Sequence, residues 1–529
     1  MNHTYSVPYS NNYFSELFLD YINGKESLRK YYQYEASIDS IATAIENKKF
    51  SDEKRKLLVD VLLEQNASLQ LSESSAHNIQ SLLSPNTFTI TTGHQLGLFT
   101  AEWYFIFKIL STVKLAEESK KKNPDFNFVP IFWMATEDHD FEEINHFNLS
   151  GHTFTWNNKE KGACGAFSTN GIENIIASLK VFLADRKFAN ELIEKFKIAY
   201  TNTNLSQATR ILVNDLLGKF GIVILDANDA RLKSLFKEVI KDDLQQHSSF
   251  KSVSACNTSL NDLGYATQVN PREINFFYLD KNYRNRIVKN TDGFYETTDS
   301  VHQWTRDELM QLVESKPEKF SPNVVLRPLY QEMILPNLAY IGGPGEISYW
   351  LQLKPIFENY STPMPILVWR NSFMLMHSND LDRWEKIGFQ IKNLFDNAEQ
   401  IANQYVLKHT QNKLSIEDYK NKTSELLNSL SNHISKVNQQ LPKSVIGMEK
   451  RIERMYSNLE KKILKHEKRN QSEGIEIALN LRSKYFPSGK LQERKENFSL
   501  VYSEVGNELF QILYDNSVVF DKQFKVISI

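Results

Sequence analysis

The sequence predicts an α/β protein: a parallel-sheet core, broken by two insertions and followed by a long helical coiled coil. Three observations predict it. Residues 87–92 form a β-branched and aromatic run that ends in the turn Gly93-His94-Gln95-Leu96-Gly97. Residues 101–119 then show helical spacing, and residues 128–135 are a second apolar run. Strand, glycine turn, helix, strand is the βαβ unit of a parallel sheet. Residues 321–370 repeat that logic around the turn Gly342-Gly343-Pro344-Gly345-Glu346. From Leu381 onward, apolar residues step alternately by three and four between charged flanks, which is heptad spacing.

The elements follow in chain order. Residues 13–83 read as short helices packed on the sheet, the clearest being 52–65 with Leu57, Leu58, Val61 and Leu62 on one stripe. With the first half of the core they make up residues 1–146. Residues 147–219 read as a first insertion: small antiparallel strands in 147–167, rich in Asn, Gly and Thr, then a helix over 175–200. The core resumes in 220–260 with a strand at 221–226 and a helix at 230–240. A second insertion, 261–320, carries β-hairpins around Asp280-Lys281-Asn282-Tyr283 and Asn290-Thr291-Asp292-Gly293. Residues 321–378 complete the core, with strands at 337–341 and 365–369 and a helix over 347–357. The coiled coil occupies 379–480. Its stripe runs through Leu427, Leu430, Ile434, Val437 and Leu441, then Val445, Met448, Ile452, Met455 and Leu459. Pro442 must break any helix through it, so the helices are antiparallel. Residues 481–529 regain apolar character and pack back on the core.

Composition narrows the function classes. A chain of 529 residues exceeds one ordinary core. The formal charge of −2 gives no global case for nucleic acid or an acidic membrane. Cys164 and Cys256 stand far apart without a CxxC partner, which argues against a cysteine zinc site or a disulfide framework and for a reducing cytoplasm. The first residues, Met1-Asn2-His3-Thr4-Tyr5-Ser6, lack the pattern of a signal peptide. No apolar run approaches the roughly 20 residues that span a bilayer.

Two polar clusters sit at strand ends, where ligands bind in open parallel sheets. His94 lies between strand and helix. Its functional reading is donation to a phosphate, where free helix N–H groups already favour an anion; its bland reading is a structural cap. Thr136-Glu137-Asp138-His139-Asp140 gathers three carboxylates around a histidine, which is costly unless a cationic group, a metal or proton transfer uses it. Asp138 and His139 are the preferred catalytic groups, with Gln95, Glu137, Asp140, Asn145 and His146 as substrate contacts. Arg327, Gln331 and Glu332 form a third group, Arg327 suiting a carboxylate or phosphate. Glu346 and Tyr349 face the same cleft. Gly93, Gly97, Gly342, Gly343 and Gly345 let backbone approach a nucleotide. His94, Asp138, His139 and His146 include metal-ligand types, but no HExxH or HxH pair fixes two on one element, so no metal site is assigned. Neither cysteine has a base beside it.

These residues carry a resemblance. Gly93-His94-Gln95-Leu96-Gly97 with Phe132-Trp133-Met134-Ala135-Thr136-Glu137-Asp138-His139-Asp140 resembles the signature of the bacillithiol-synthesis cysteine-adding enzymes, the BshC family. Leu326-Arg327-Pro328-Leu329-Tyr330-Gln331-Glu332, Gly342-Gly343-Pro344-Gly345-Glu346-Ile347-Ser348-Tyr349-Trp350 and Tyr485-Phe486-Pro487-Ser488-Gly489-Lys490-Leu491-Gln492-Glu493-Arg494 resemble its later blocks. The resemblance implies a Rossmann-like core akin to class I aminoacyl-tRNA synthetases, two connecting insertions and a coiled coil that forms a homodimer. It implies that cysteine is joined to glucosaminyl-malate by an amide bond, with ATP, accompanied by Mg, activating the carboxylate. His94 would then assist phosphate chemistry, the acidic cluster would hold the cysteine ammonium or take a proton, and Arg327 would hold malate carboxylates or a phosphate. The Lys-Met-Ser-Lys-Ser-like loop of the synthetases is not present. Two other readings stay open: a non-catalytic nucleotide-binding coiled-coil scaffold, and a metal-dependent hydrolase.

Overall fold

A computed structural model describes residues 3–10, 13–201, 203–412, 414–440 and 442–529. The chain forms two compact units. One holds residues 8–374 and 491–525; the other holds 375–490 with both chain ends.

The larger unit is built on five parallel strands, β1 (Thr87–His94), β2 (Asn127–Met134), β3 (Val223–Asp226), β4 (Asn337–Gly342) and β5 (Ile366–Trp369), in the order β5-β4-β1-β2-β3. The strands are apolar nearly throughout because both faces are covered, as parallel sheets require. Phe88, Ile90, Leu338, Ile341, Ile366 and Val368 pack one face with Leu115 and Ala116 of α1 (Tyr104–Lys122). Register aligns the strand ends. His94 pairs with Met134, Met134 with Asp226, and Gly342 with Trp369. The chain reverses direction of winding between β1 and β4, so the crevice at their carboxyl ends is where a ligand is expected.

Several predicted helices are shorter or split, each for a local reason. α1 begins at Tyr104, not 101, because Phe99, Thr100 and Ala101 hold φ of 50°, 70° and 47°. The predicted helix over 347–357 divides into α3 (Pro344–Trp350) and Lys354–Asn359, the second opened by Pro355. It is preceded by α2 (Arg327–Ile334). The helix predicted over 175–200 divides at Asp185, whose φ is 69°. The segment 147–219 is mostly helical, with one small hairpin, His146–Leu149 against His152–Thr155. The segment 261–320 contains most of a five-stranded antiparallel sheet that includes Phe276–Asp280, Tyr283–Lys289 and Phe320–Pro322.

The smaller unit centres on α4 (Glu417–Ser435) and α5 (Pro442–Asn470), an antiparallel pair. Thr423 Oγ1 meets the Tyr456 hydroxyl at 2.7 Å, and Lys420 pairs with Glu460 at 2.8 Å. Pro442 is the first residue of α5, where its missing N–H costs nothing. Leu441 of the predicted stripe lies outside the described residues. No helix is long and apolar enough to cross a membrane, among the described residues.

Candidate active site

The segment Gly93-His94-Gln95 at the end of β1 touches residues from both sides of the site. An arginine, a lysine–glutamate pair and an aspartate reach it from three directions.

On the β4 side the wall is cationic. Lys108 is a lysine within the apolar face of α1, and it is 2 % exposed. Its Nζ donates to the Gly93 carbonyl oxygen and to Glu346 Oε2, the latter at 2.7 Å. Glu346 also accepts from the Tyr340 hydroxyl at 2.6 Å and from the Gly343 N–H at 2.8 Å. Burial pushes this carboxyl up, but Lys108, Tyr340 and the Gly343 N–H outweigh it and keep Glu346 ionised. Glu346 is therefore engaged by its own chain, with part of its side chain still exposed. Arg327 stands 3.7 Å from where a Gly93 side chain would begin, over the rings of Trp133 and Tyr340. Its Nη1 donates to Gln331 Oε1 at 3.1 Å, while its buried Nη2 has no hydrogen-bond partner among the described residues. Tyr349 faces the same guanidinium. Arg370 follows β5 and is fixed by a bidentate bond to Glu493 at 2.9 and 2.8 Å, yet its buried Nε is left free.

His94 sits between the rings of Tyr104 and Phe105, 5.2 and 5.0 Å away. Its Nδ1 lies 2.9 Å from the Gln95 carbonyl oxygen, which can only accept. Nδ1 therefore carries the proton and Nε2 presents a lone pair. Burial, reinforced by Lys108, lowers its pKa to about 4, so the ring is neutral near pH 7. A neutral ring of this tautomer accepts a hydrogen bond at Nε2, which corrects the expected donation to phosphate. On the approach to α1, two N–H groups are already engaged. Trp103 N–H bonds the Glu496 carbonyl, and Phe99 N–H bonds the Tyr200 hydroxyl at 3.1 Å.

Past β2 the wall is acidic. Gln95 Nε2 donates to Asp138 at 2.7 Å and to Glu143 at 2.6 Å. Burial acts to raise the Asp138 pKa, but the His139 side chain, Gln95 and Arg284 hold it far below the usual carboxylate range, and the His139 backbone N–H donates to it at 2.7 Å. Arg284 comes from the antiparallel sheet. It stacks on Phe277 at 3.9 Å and donates to His139 Nδ1 at 2.5 Å. Glu137 turns to the buried Lys233 at 2.5 Å, so it is an internal ion pair and not an open contact. Asp140 stays exposed. Asn145 holds His146, its Oδ1 2.9 Å from Nδ1.

Three predicted residues have other work. Glu332 is buried against Lys48 at 3.3 Å and accepts from Gln331 at 3.0 Å and Asn337 at 2.6 Å. That chain anchors Arg327 from behind, and Gln331 is its link. Gly97 is needed because a Cβ there would lie 2.5 Å from Ala101 Cβ, and Gly342 is crowded by Glu346 and Ile347. Neither glycine's packing points to a nucleotide, whereas Gly345 opens on free space. Cys164 is buried, and burial with Asp138 and Asp140 nearby pushes its thiol up to about 12, so it is no nucleophile near neutrality. Among the described residues no three His, Cys, Asp or Glu side chains are grouped as a metal site requires.

Lys108, Arg370, Glu493 and Arg284 are site residues that sequence reasoning missed. Lys108 had a signal: one lysine inside an apolar run. Glu493 lies in the last block of the resemblance but without an assigned role, and Arg284 had no signal, since only tertiary packing brings it here.

Comparison with known proteins bears on this site. Residues 2–371 match the family described as "Bacillithiol biosynthesis BshC, N-terminal Rossmann-like domain", and residues 373–529 match its "C-terminal coiled-coil domain". A protein of Flavobacterium psychrophilum named "Putative cysteine ligase BshC" is 41 % identical over 97 % of each chain. Proteins of the same name from Christiangramia forsetii, 40 % identical over 98 % of this chain and 97 % of its own, and Flavobacterium johnsoniae, 38 % over 98 % of both, are similar to it end to end.

Proposed function

Since the chain belongs to the bacillithiol biosynthesis BshC family, we propose that it is a ligase that joins the carboxyl of cysteine to the amine of glucosaminyl-malate. One observation carries the reading beyond the family. A cationic wall and an acidic wall meet at His94-Gln95, which suits reactants that bring carboxylates or phosphates to one side and an ammonium to the other.

The chemistry assigns roles. A free carboxylate does not acylate an amine, and ATP with Mg, when bound, supplies the activation. Arg327 through its unpaired Nη2 and Arg370 through its unpaired Nε suit an anion here, since buried N–H groups without partners cost about 1–3 kcal/mol each until satisfied. Gly343 and Gly345 leave backbone room beside them. Asp138, ionised and braced by Gln95, holds the cysteine ammonium together with Asp140. The Nε2 lone pair of His94 accepts a hydrogen bond from the attacking amine and orients it. His139, held at Nδ1 by Arg284, presents its Nε2–H toward the same edge and steadies charge on the carbonyl oxygen.

The test is direct. Protein, cysteine, glucosaminyl-malate and ATP are mixed, and the conjugate is sought by mass spectrometry along with AMP or ADP. His94→Gln and Asp138→Asn should each abolish conjugate while the fold persists; a scaffold would leave bacillithiol production in cells intact in both variants. Arg327→Lys loses a planar fork and should lower kcat/KM ~10–100-fold, the loss of about 1.5–3 kcal/mol expected for a charge-assisted pair. Unchanged kcat/KM removes Arg327 from the reading.

The coiled coil supports a homodimer. Leu430, Val437, Met448, Met455 and Leu459 of the heptad stripe are exposed in one chain, whereas Leu427 and Val445 are buried. An apolar seam left open along both helices fits a second copy.

A further inference from the structure

We propose that Lys108 and Glu346 are positioning residues for this ligation: their ion pair ties the Gly93 turn at the end of β1 to the Gly343 turn at the end of β4. The inference rests on the reading above and names what holds its site together.

The ends of β1 and β4 part company at the crevice. Backbone pairing between them runs to Thr92 and Ile341. Beyond that point the two chains diverge into separate glycine turns, and no ladder bond fixes their spacing. Lys108 bridges the gap. Its Nζ grips the Gly93 carbonyl on one side and the Glu346 carboxylate on the other. The second half of the bridge is Glu346, whose oxygens take the Gly343 N–H and the Tyr340 hydroxyl, both on the β4 side. Thus α1, α3, β1 and β4 meet in one pair of side chains. Lys108 is inaccessible, and Glu346 spends three of its acceptor positions on its own chain, so the pair acts first on the backbone it ties together. What they set is the distance between His94, beside Gly93, and the Gly343–Gly345 backbone. A displacement of about 1 Å between reacting groups costs about 100-fold in rate.

Burial chiefly sets the charge at His94, and the pair tunes it. The groups facing its ring are Lys108 from α1, Glu346 from α3, Arg370 after β5, Tyr104 and the Gln95 carbonyl oxygen. Lys108 and Arg370 oppose protonation, and Glu346 favours it. Removing each half of the pair therefore moves His94 in opposite directions, which a merely structural defect does not do.

The experiment uses the full chain with Lys108→Met, Glu346→Gln and the double variant. In the ligation assay each single variant should lose ~100-fold in kcat with KM changed far less. The double variant should be no worse than the poorer single one, because the two residues act as a unit. Additive losses, or full kcat in either folded variant, overturn the clamp. A second readout needs no substrate: nitrogen-15 NMR of the imidazoles follows His94 against pH. The wild type should titrate near pH 4, Lys108→Met should move the midpoint toward 6.5, and Glu346→Gln should move it lower. Identical midpoints in all three overturn the proposal. If the wild type makes no conjugate yet the midpoints diverge as stated, the clamp stands and the ligase reading falls.

Discussion

Buried charge decides much at the scale of single residues. Lys48 and Glu332 form an ion pair with side chains 3 % and 0 % exposed, and Glu332 is further tied to Gln331 and Asn337. Breaking such a pair from one side leaves an uncompensated charge and costs about 3–5 kcal/mol. Lys48→Met should therefore lower the urea midpoint sharply. Adding Glu332→Gln, which keeps the bonds to Gln331 and Asn337, should recover at least half of the loss. Equal midpoints for wild type and Lys48→Met would remove this pair from the stability argument. His94 gives a pH prediction. Its folded pKa of about 4 lies below the ordinary 6.5, so the unfolded chain takes up its proton first as pH falls. The contribution is complete above 6.5 and is lost progressively down to 4. Asp243 acts with the opposite sign: burial raises it to about 6, so its contribution fades as pH rises through that value. The two overlap, and the informative quantity is the difference between wild type and His94→Gln. That difference in denaturation midpoint should change between pH 7 and pH 4.5; a constant difference contradicts a depressed His94.

Local periodicity makes elements legible, and it misses what the elements exchange. The five core strands, the two glycine turns and the heptad stripe were all readable, because β-branched runs, glycines and three-four spacing act within a few residues. Helix starts were less so: three consecutive residues with positive φ before α1 follow from distant partners, the Asn497 side chain bonding the Phe99 carbonyl at 3.0 Å and the Ala101 carbonyl at 2.5 Å. Nothing near Phe99 announces Asn497. For the same reason the acidic loop looked more open than it is, since Lys233 and Arg284 arrive from elements 96 and 145 residues away and neutralise part of it. The heptad stripe carries its own prediction. Leu430→Glu with Met455→Glu places charge on residues that are 39 % and 69 % exposed in the single chain. In the folded monomer this is nearly free. In a coiled-coil dimer it sets charges in the seam, so light scattering should give half the mass of the wild type with little change in helical circular dichroism. An unchanged mass places any self-association elsewhere.

Connectivity matters at the scale of the whole chain, because the larger unit is not contiguous. Residues 491–525 return to it after the coiled coil, and they bring Glu493, the bidentate partner of buried Arg370, and Asn497, which holds the strained approach to α1. A fragment ending near residue 373 would keep every strand of the parallel sheet yet leave Arg370 buried and uncompensated. It should express as aggregate or as a species without a cooperative melt. The long hairpin, by contrast, should be dispensable for folding. Its two ends are already joined below the tip: Thr410 Oγ1 donates to Glu467 at 2.9 Å and Asn412 Nδ2 to the same carboxylate at 3.2 Å. Ala402, Val406 and Ile475 form a small core there, with Leu414 and Leu464 packed against it. Replacing residues 415–463 by a short glycine-serine linker closes a gap the fold has already brought together, and loop-closure entropy changes only slightly with length. The shortened protein should melt cooperatively within a few degrees of the wild type and run as a monomer. Retained ligation would assign the hairpin to assembly alone, and lost ligation with an intact melt would make the second copy part of the catalytic unit. A chain that no longer melts cooperatively would show instead that the hairpin is needed for folding, against the closure drawn from Thr410, Asn412 and Glu467.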